Sequence, residues 1–356
     1  MLSPLRIDPL KALEEVDGFK RKLAAGMQNL RNAGDFDFGA SAREAVYRED
    51  KITLWHFMPT GKPSGRRPIL ISYALVNTPW MVDLQADRSL VARLLELGED
   101  VYLIEWGYPD LADRWLTLED YILGYLDRCI DQVRQRHGLE RINLLGICEG
   151  GAFSLCYAAL RGYKLQNLIT MVTPVDFHTP DNMLSNWTRQ MDVDLFVDTL
   201  GNVPADLMNW CYLTLKPVRL NQQKYVGMVD VLDDPKEITN FLRMEKWIFD
   251  SPDQAGEAFR QFIKDFYQAN KLIKGEVEIG GERVDLGSIH LPVLNIFAEQ
   301  DHLVPPSAAR PLRGAVGTKD YTELSFKGGH IGIYVSGRAQ REVPGAIHGW
   351  LDQRRG

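Results

Sequence analysis

The sequence predicts an α/β fold: a mostly parallel sheet with helices on both faces and a mainly helical segment inserted before one of the last strands. Three observations carry this expectation. Short apolar runs of strand character alternate with helical patterns through the first half of the chain. One such run, residues 142–145, leads into Gly146-Ile147-Cys148-Glu149-Gly150-Gly151 and then a helical pattern from Ala152. Two further apolar runs near the C-terminus end in an acid and in a histidine.

The elements follow in order. Leu10, Leu13, Val16, Phe19, Leu23, Met27 and Leu30 recur every three or four residues, which describes an amphipathic helix that packs on the body of the protein or docks a partner. Residues 69–73 read as a strand, 88–97 as a helix stopped by Gly98, and 101–105 as a second strand. Tyr121, Ile122, Tyr125, Leu126, Cys129, Ile130 and Val133 fall on one helical face, and Gly138 closes that helix. After a strand at 168–172 the alternation stops. Some 115 residues, with Trp187, Trp210, Trp247 and a stretch holding Phe259, Phe262, Phe266 and Tyr267, precede the next strand at 292–298. The expected organisation is an N-terminal helical segment (1–40), a catalytic core (41–174 and 290–356) and a cap (175–289) whose aromatics mostly form its own core.

The chemistry sits at strand ends. In a GxCxG turn the chain passes sharply from strand to helix, and the helix N-terminus lies beneath the sulfur, where its partial positive charge favours the thiolate. The bland alternative is an inert buried thiol, as Cys129, Cys156 and Cys211 read. The strand at 292–298 runs into Glu299-Gln300-Asp301-His302, and the strand at 321–326 into Lys327-Gly328-Gly329-His330. Nucleophile, acid, histidine is the order of the α/β-hydrolase fold. Cys148 is thus the candidate nucleophile, His330 its general base and Asp301 the acid that orients the imidazole. Glu299 is the reserve acid, His302 a residue behind the site, and His56, His137, His178, His290 and His348 lack a comparable setting. The oxyanion hole is expected from the main-chain N–H of Glu149 and one in the loop after residues 69–73, placed at Val76.

Composition narrows the classes. At 356 residues, 45% hydrophobic and 25% charged, the chain can bury a large core. A net charge of -7 with no basic stripe argues against nucleic acid. Four cysteines without regular spacing read as reduced thiols, no Cys/His cluster has metal-ligand spacing, and neither a signal peptide nor a membrane span stands out, so a cytoplasmic protein is expected.

With these residues in place the chain resembles the polyhydroxyalkanoate synthases, specifically the catalytic subunit of the short class III enzymes. The resemblance is carried by Leu75-Val76-Asn77-Thr78-Pro79, Asp100-Val101-Tyr102-Leu103-Ile104 with Trp106-Gly107, the Cys148 turn, Thr173-Pro174-Val175-Asp176, Asp301-His302-Leu303-Val304-Pro305-Pro306 and Gly328-Gly329-His330-Ile331-Gly332. It implies polymerisation of (R)-3-hydroxyacyl-CoA thioesters, most simply 3-hydroxybutyryl-CoA, with release of CoA and no cofactor. It further implies association with polyester granules, a separate accessory subunit of the PhaE type, and a homodimer or higher complex. Acyl transfer from CoA to Cys148 exchanges one thioester for another, so the acyl carbon stays reactive toward an alcohol. Within that resemblance Asp301 either orients His330 or assists the attacking hydroxyl. A cysteine-dependent thioester hydrolase of the dienelactone hydrolase kind and a noncatalytic granule-binding protein are the readings from other classes. The long insertion argues against the former, and intact Cys148, Asp301 and His330 against the latter.

Overall fold

A computed structural model describes residues 38–60, 65, 67–215 and 234–354. The helix expected over residues 10–30 lies outside them. Eight strands form one sheet: β1 (Arg43–Glu49), β2 (Ile52–Phe57), β3 (Ile69–Ser72), β4 (Val101–Glu105), β5 (Ile142–Ile147), β6 (Leu165–Met171), β7 (Val293–Ala298) and β8 (Tyr321–Phe326). Their spatial order is β1-β2-β4-β3-β5-β6-β7-β8. The β1–β2 and β2–β4 pairs are antiparallel and the rest are parallel. Every residue of β3, β5 and β7 is buried, because helices cover both faces, so these strands read in sequence as largely apolar runs, interrupted only by the buried Ser72, Asn143 and Asn295. The antiparallel β1–β2 hairpin was not expected. β1, at the sheet edge, carries Arg43, Glu44, Arg48 and Glu49 and shows no apolar alternation.

Helix boundaries follow from capping. The helix expected from residue 88 begins at α1 (Leu90–Glu96), since Ser89 takes the N-cap and its Oγ accepts from the Ala92 N–H at 2.8 Å. The single helix expected over 121–133 is composite: a π-helical stretch, Asp120–Leu126, continues into α2 (Asp127–His137), which ends at Gly138 with φ 61°. The nucleophile turn leads into α3 (Glu149–Arg161).

Residues 38–208 and 250–354 belong to one compact unit. In its inserted part, α4 (Val193–Leu200) is capped by Asp192, and the helix Gly256–Gln261 runs into a π-helical stretch, Phe262–Gln268. Phe262 and Phe266 are buried, and Phe262 meets Phe153 of α3 edge-on at 5.8 Å and Phe177 at 6.0 Å. Trp187, expected in the cap core, is exposed. Among the described residues, 209–215 and 234–249 belong to a second unit. There α5 (Pro235–Phe249) buries Ile238 and Trp247, and the Ile248 carbonyl accepts from Asn209 Nδ2 at 2.9 Å. Trp210 is exposed and Cys211 half-buried rather than core, whereas Cys129 and Cys156 are buried; all four cysteines are free. In the first unit, α6 (Gly337–Asp352), capped by Ser336, packs on α1.

Candidate active site

β5 ends at Ile147, and the next residue, Cys148, has φ 54° and ψ −121° before α3 begins at Glu149. A non-glycine residue at positive φ is strained and persists only where the surroundings enforce it. Here the Cys148 N–H donates to Met171 O on β6 at 2.9 Å, and the Gly151 N–H donates to Cys148 O at 3.0 Å. The first turn of α3 sits tight against the sheet. A Cβ on Gly150 would run into the carbonyl oxygens of Ser72 and Tyr73, and one on Gly151 into the Thr173 side chain. The two glycines are therefore what lets the helix start directly behind the sulfur.

Asp301 lies three residues past β7, and its side chain is fully buried. Oδ1 accepts from the Leu303 and Val304 N–H groups at 2.8 and 2.9 Å, while Oδ2 meets His330 Nδ1 at 2.6 Å. His330 lies four residues past β8, and the two loops are laced together by Glu299 N–H to Phe326 O and Gln300 N–H to Gly328 O. Burial pulls the His330 ring down, but the charges of Asp301 and Cys148 and hydrogen bonds to both raise it to about 10. With Nδ1 committed to Asp301, Nε2 is the nitrogen left for the thiol. A protonated imidazole held beside a cysteine stabilises the thiolate.

The neighbouring candidates separate clearly. Glu299, the reserve acid, is exposed and accepts from Ser325 Oγ at 3.2 Å, away from His330. His302 is half-buried beside Asp301. Carboxylate pairing is not unique to His330: His56 meets Asp100 at 2.8 Å, and His348 meets the buried Glu99 at 2.8 Å. What sets His330 apart is its additional contact with Cys148.

The loop after β3, where the second oxyanion donor is expected, reaches the side chain of Glu149. The Leu75 N–H donates to Glu149 Oε2 at 2.8 Å, and the Val76 N–H also acts on that carboxyl. Burial pushes Glu149 up to about 7 against the downward pull of these two donors. The same loop is fixed by Trp106 Nε1 to Tyr73 O (2.9 Å), Gln254 Nε2 to Leu75 O (2.8 Å) and Asn77 Nδ2 to Ser251 Oγ (2.7 Å).

Three tyrosines complete the surroundings, Tyr73 and Tyr334 buried and Tyr267 half-buried. Tyr73, Tyr267 and Tyr334 are each raised by burial and then by nearby charge, that of Cys148 in every case, and Tyr334 meets the His330 ring edge-on at 6.4 Å. The Tyr334 hydroxyl is buried with no hydrogen-bond partner among the described residues. Sequence reasoning missed Tyr73, Tyr334 and the Glu149 side chain. The only signal was position: Tyr73 directly follows a strand, and Tyr334 lies one helical turn past His330. Among the described residues no group of three or more His, Cys, Asp or Glu is placed to hold a metal ion, and no helix is long and apolar enough to cross a membrane.

Comparison with known proteins shows the fold and the family. Residues 68–336 match the model of the alpha/beta hydrolase fold family. Among solved structures, a putative non-heme bromoperoxidase from Mycobacterium tuberculosis superposes with a TM-score of 0.54 at 12% identity, over 91% of this chain and 100% of that one, which speaks to fold alone. The chain is 61% identical over 353 residues to the poly(3-hydroxyalkanoate) polymerase subunit PhaC of Allochromatium vinosum, covering 99% of each. It is 53% identical to that of Synechocystis, over 96% of this chain and 93% of the relative, and 38% identical to that of Haloferax mediterranei, over 97% and 70%. A nucleophile turn, acid and histidine at the ends of β5, β7 and β8, with relatives matching from end to end, make this chain a member of the poly(3-hydroxyalkanoate) polymerase PhaC family within the alpha/beta hydrolase fold.

Proposed function

We propose that this chain polymerises (R)-3-hydroxyacyl groups, most simply 3-hydroxybutyryl, delivered as CoA thioesters. The Cys148 thiolate attacks the acyl carbon, the C–S bond to CoA breaks, and the departing CoA thiolate takes a proton from His330. In elongation His330 removes the proton of a 3-hydroxyl; that oxygen attacks the acyl carbon on Cys148, an ester forms, and the Cys148 thiolate leaves. Main-chain N–H groups at Glu149 and Val76 hold the oxyanion in both halves. The observation that carries this reading is the contact of one buried imidazole with both Asp301 and Cys148. Commitment of both Asp301 oxygens favours the orienting role over direct assistance to the hydroxyl.

The name of the relatives as a subunit supports a partner chain, for which an accessory subunit of the PhaE type, a homodimer and a granule-bound location are proposed. Residues 175–289 are assigned to a cap that limits water, which decides between transfer and hydrolysis of the acyl-enzyme. The test is to supply (R)-3-hydroxybutyryl-CoA to the full chain, alone and with an accessory subunit, and to follow free thiol and product. Insoluble polyester dependent on Cys148 supports the polymerase. Free 3-hydroxybutyrate alone would make the chain a thioester hydrolase.

A further inference from the structure

The carboxyl of Glu149 has a role that its main-chain N–H does not explain. It is buried immediately after the nucleophile, at the first position of α3, and it reaches across to the loop that follows β3. There it takes the Leu75 N–H at 2.8 Å and acts on the Val76 N–H as well. One residue thus links the nucleophile helix to the loop assigned the second oxyanion donor.

We propose that Glu149 is a positioning residue: its carboxyl holds the Leu75 N–H, acts on the adjacent Val76 N–H and so sets how the second oxyanion donor is offered to the acyl oxygen. This rests on the acyl-transfer reading of Cys148. Gln254 and Trp106 restrain the same loop only through the carbonyls of Leu75 and Tyr73. Glu149 acts on the donors themselves. A carboxylate is a stronger acceptor than a carboxylic acid, so the ionised form grips the Val76 N–H and competes with the substrate oxygen, whereas the protonated form releases it more readily. The titratable groups facing the carboxyl are Tyr121, Tyr267 and the adjacent Cys148. Burial raises both tyrosines, so they stay neutral through the working range, while Glu149 changes charge near pH 7.

The test compares the full-length wild type with Glu149→Gln and Glu149→Ala between pH 6 and 9. Three rates are read: CoA release from (R)-3-hydroxybutyryl-CoA, the nitrophenol burst from p-nitrophenyl acetate, and alkylation of Cys148 by iodoacetamide, which has no oxyanion. Glu149→Ala is expected to lose about 100-fold in both acylations, the scale of one lost oxyanion donor, with alkylation changed less than threefold. Glu149→Gln keeps an acceptor oxygen and is expected within tenfold of wild type, without the decline in acylation above about pH 7 that wild type shows. Three results would overturn the proposal: acylation by Glu149→Ala within twofold of wild type, alkylation falling in step with acylation, or an unchanged pH profile in Glu149→Gln. A wild type that gives the nitrophenol burst but releases no CoA would sink the substrate assignment, and the burst would still decide the role of Glu149.

Discussion

Asp301 and His330 are joined at 2.6 Å through Oδ2 and Nδ1, and the other Asp301 oxygen is held by two main-chain N–H groups, those of Leu303 and Val304. The carboxylate is thereby fixed in rotation, and the ring it holds has one nitrogen free to act. Its geometry is that of an orienting group whose charge also supports an imidazolium.

Asp301→Asn tests that assignment. An amide must either turn its NH2 toward the Leu303 and Val304 donors or present it to Nδ1, and either choice disturbs the ring's tautomer. Acylation and elongation are expected to fall together, by about 10³–10⁴-fold. The ratio of the CoA burst to polymer formed per turnover measures this. A variant that acylates normally and fails only to elongate would move Asp301 onto the substrate hydroxyl.

The raised His330 predicts the state of the nucleophile. Its folded value, about 10, lies above the ordinary imidazole range, so the ring is protonated through pH 6–9 and its pairing is lost only as pH rises through about 10. Alkylation of Cys148 by iodoacetamide is therefore expected to vary less than threefold from pH 6 to 9. In His330→Ala that plateau should be lost and alkylation should depend on pH.

Gly150→Ala places a methyl group against the carbonyl oxygens of Ser72 and Tyr73, where no flexible side chain can give way. We expect a loss of about 1–3 kcal/mol, the range for overpacking, read as a lower midpoint in urea. Acylation should also be weakened, because relief of the clash moves α3 away from β3.

Glu149 makes stability depend on pH in a defined direction. Its folded value, about 7, is raised above that of an exposed carboxyl, so the native state favours the protonated form. The stability this confers is present at low pH and is lost as pH rises through about 7. Glu149→Gln carries no such loss, so its Tm relative to wild type should increase from pH 5 to pH 8. A difference that shrinks over that interval would contradict the assignment.

Much of the site was legible because chemistry lies just past buried strands. β5, β7 and β8 stand out as apolar or alternating runs, and Cys148, Asp301 and His330 follow each within four residues. The β1–β2 hairpin was hidden because its edge strand is polar, and the π-helical stretch before α2 because it runs directly into that helix with no capping side chain at the junction. The His56–Asp100 pair depends on β2–β4 register, in which His56 lies opposite Tyr102, and no local pattern encodes that. The reach of Glu149 to Leu75 spans 74 positions and lay equally out of view.

The three assigned residues also differ in when they become available. Cys148 directly follows β5, near the middle of the sheet, whereas Asp301 and His330 follow β7 and β8, the later strands to be made. During synthesis from the N-terminus, the cysteine turn leaves the ribosome about 180 residues before the imidazole, a delay of roughly 10–40 s at ordinary elongation rates. With His330 as the base, as proposed, the thiol has none throughout that interval, so a nascent chain cannot begin consuming thioester. Polymer growth starts only once the C-terminal strands have closed onto the sheet.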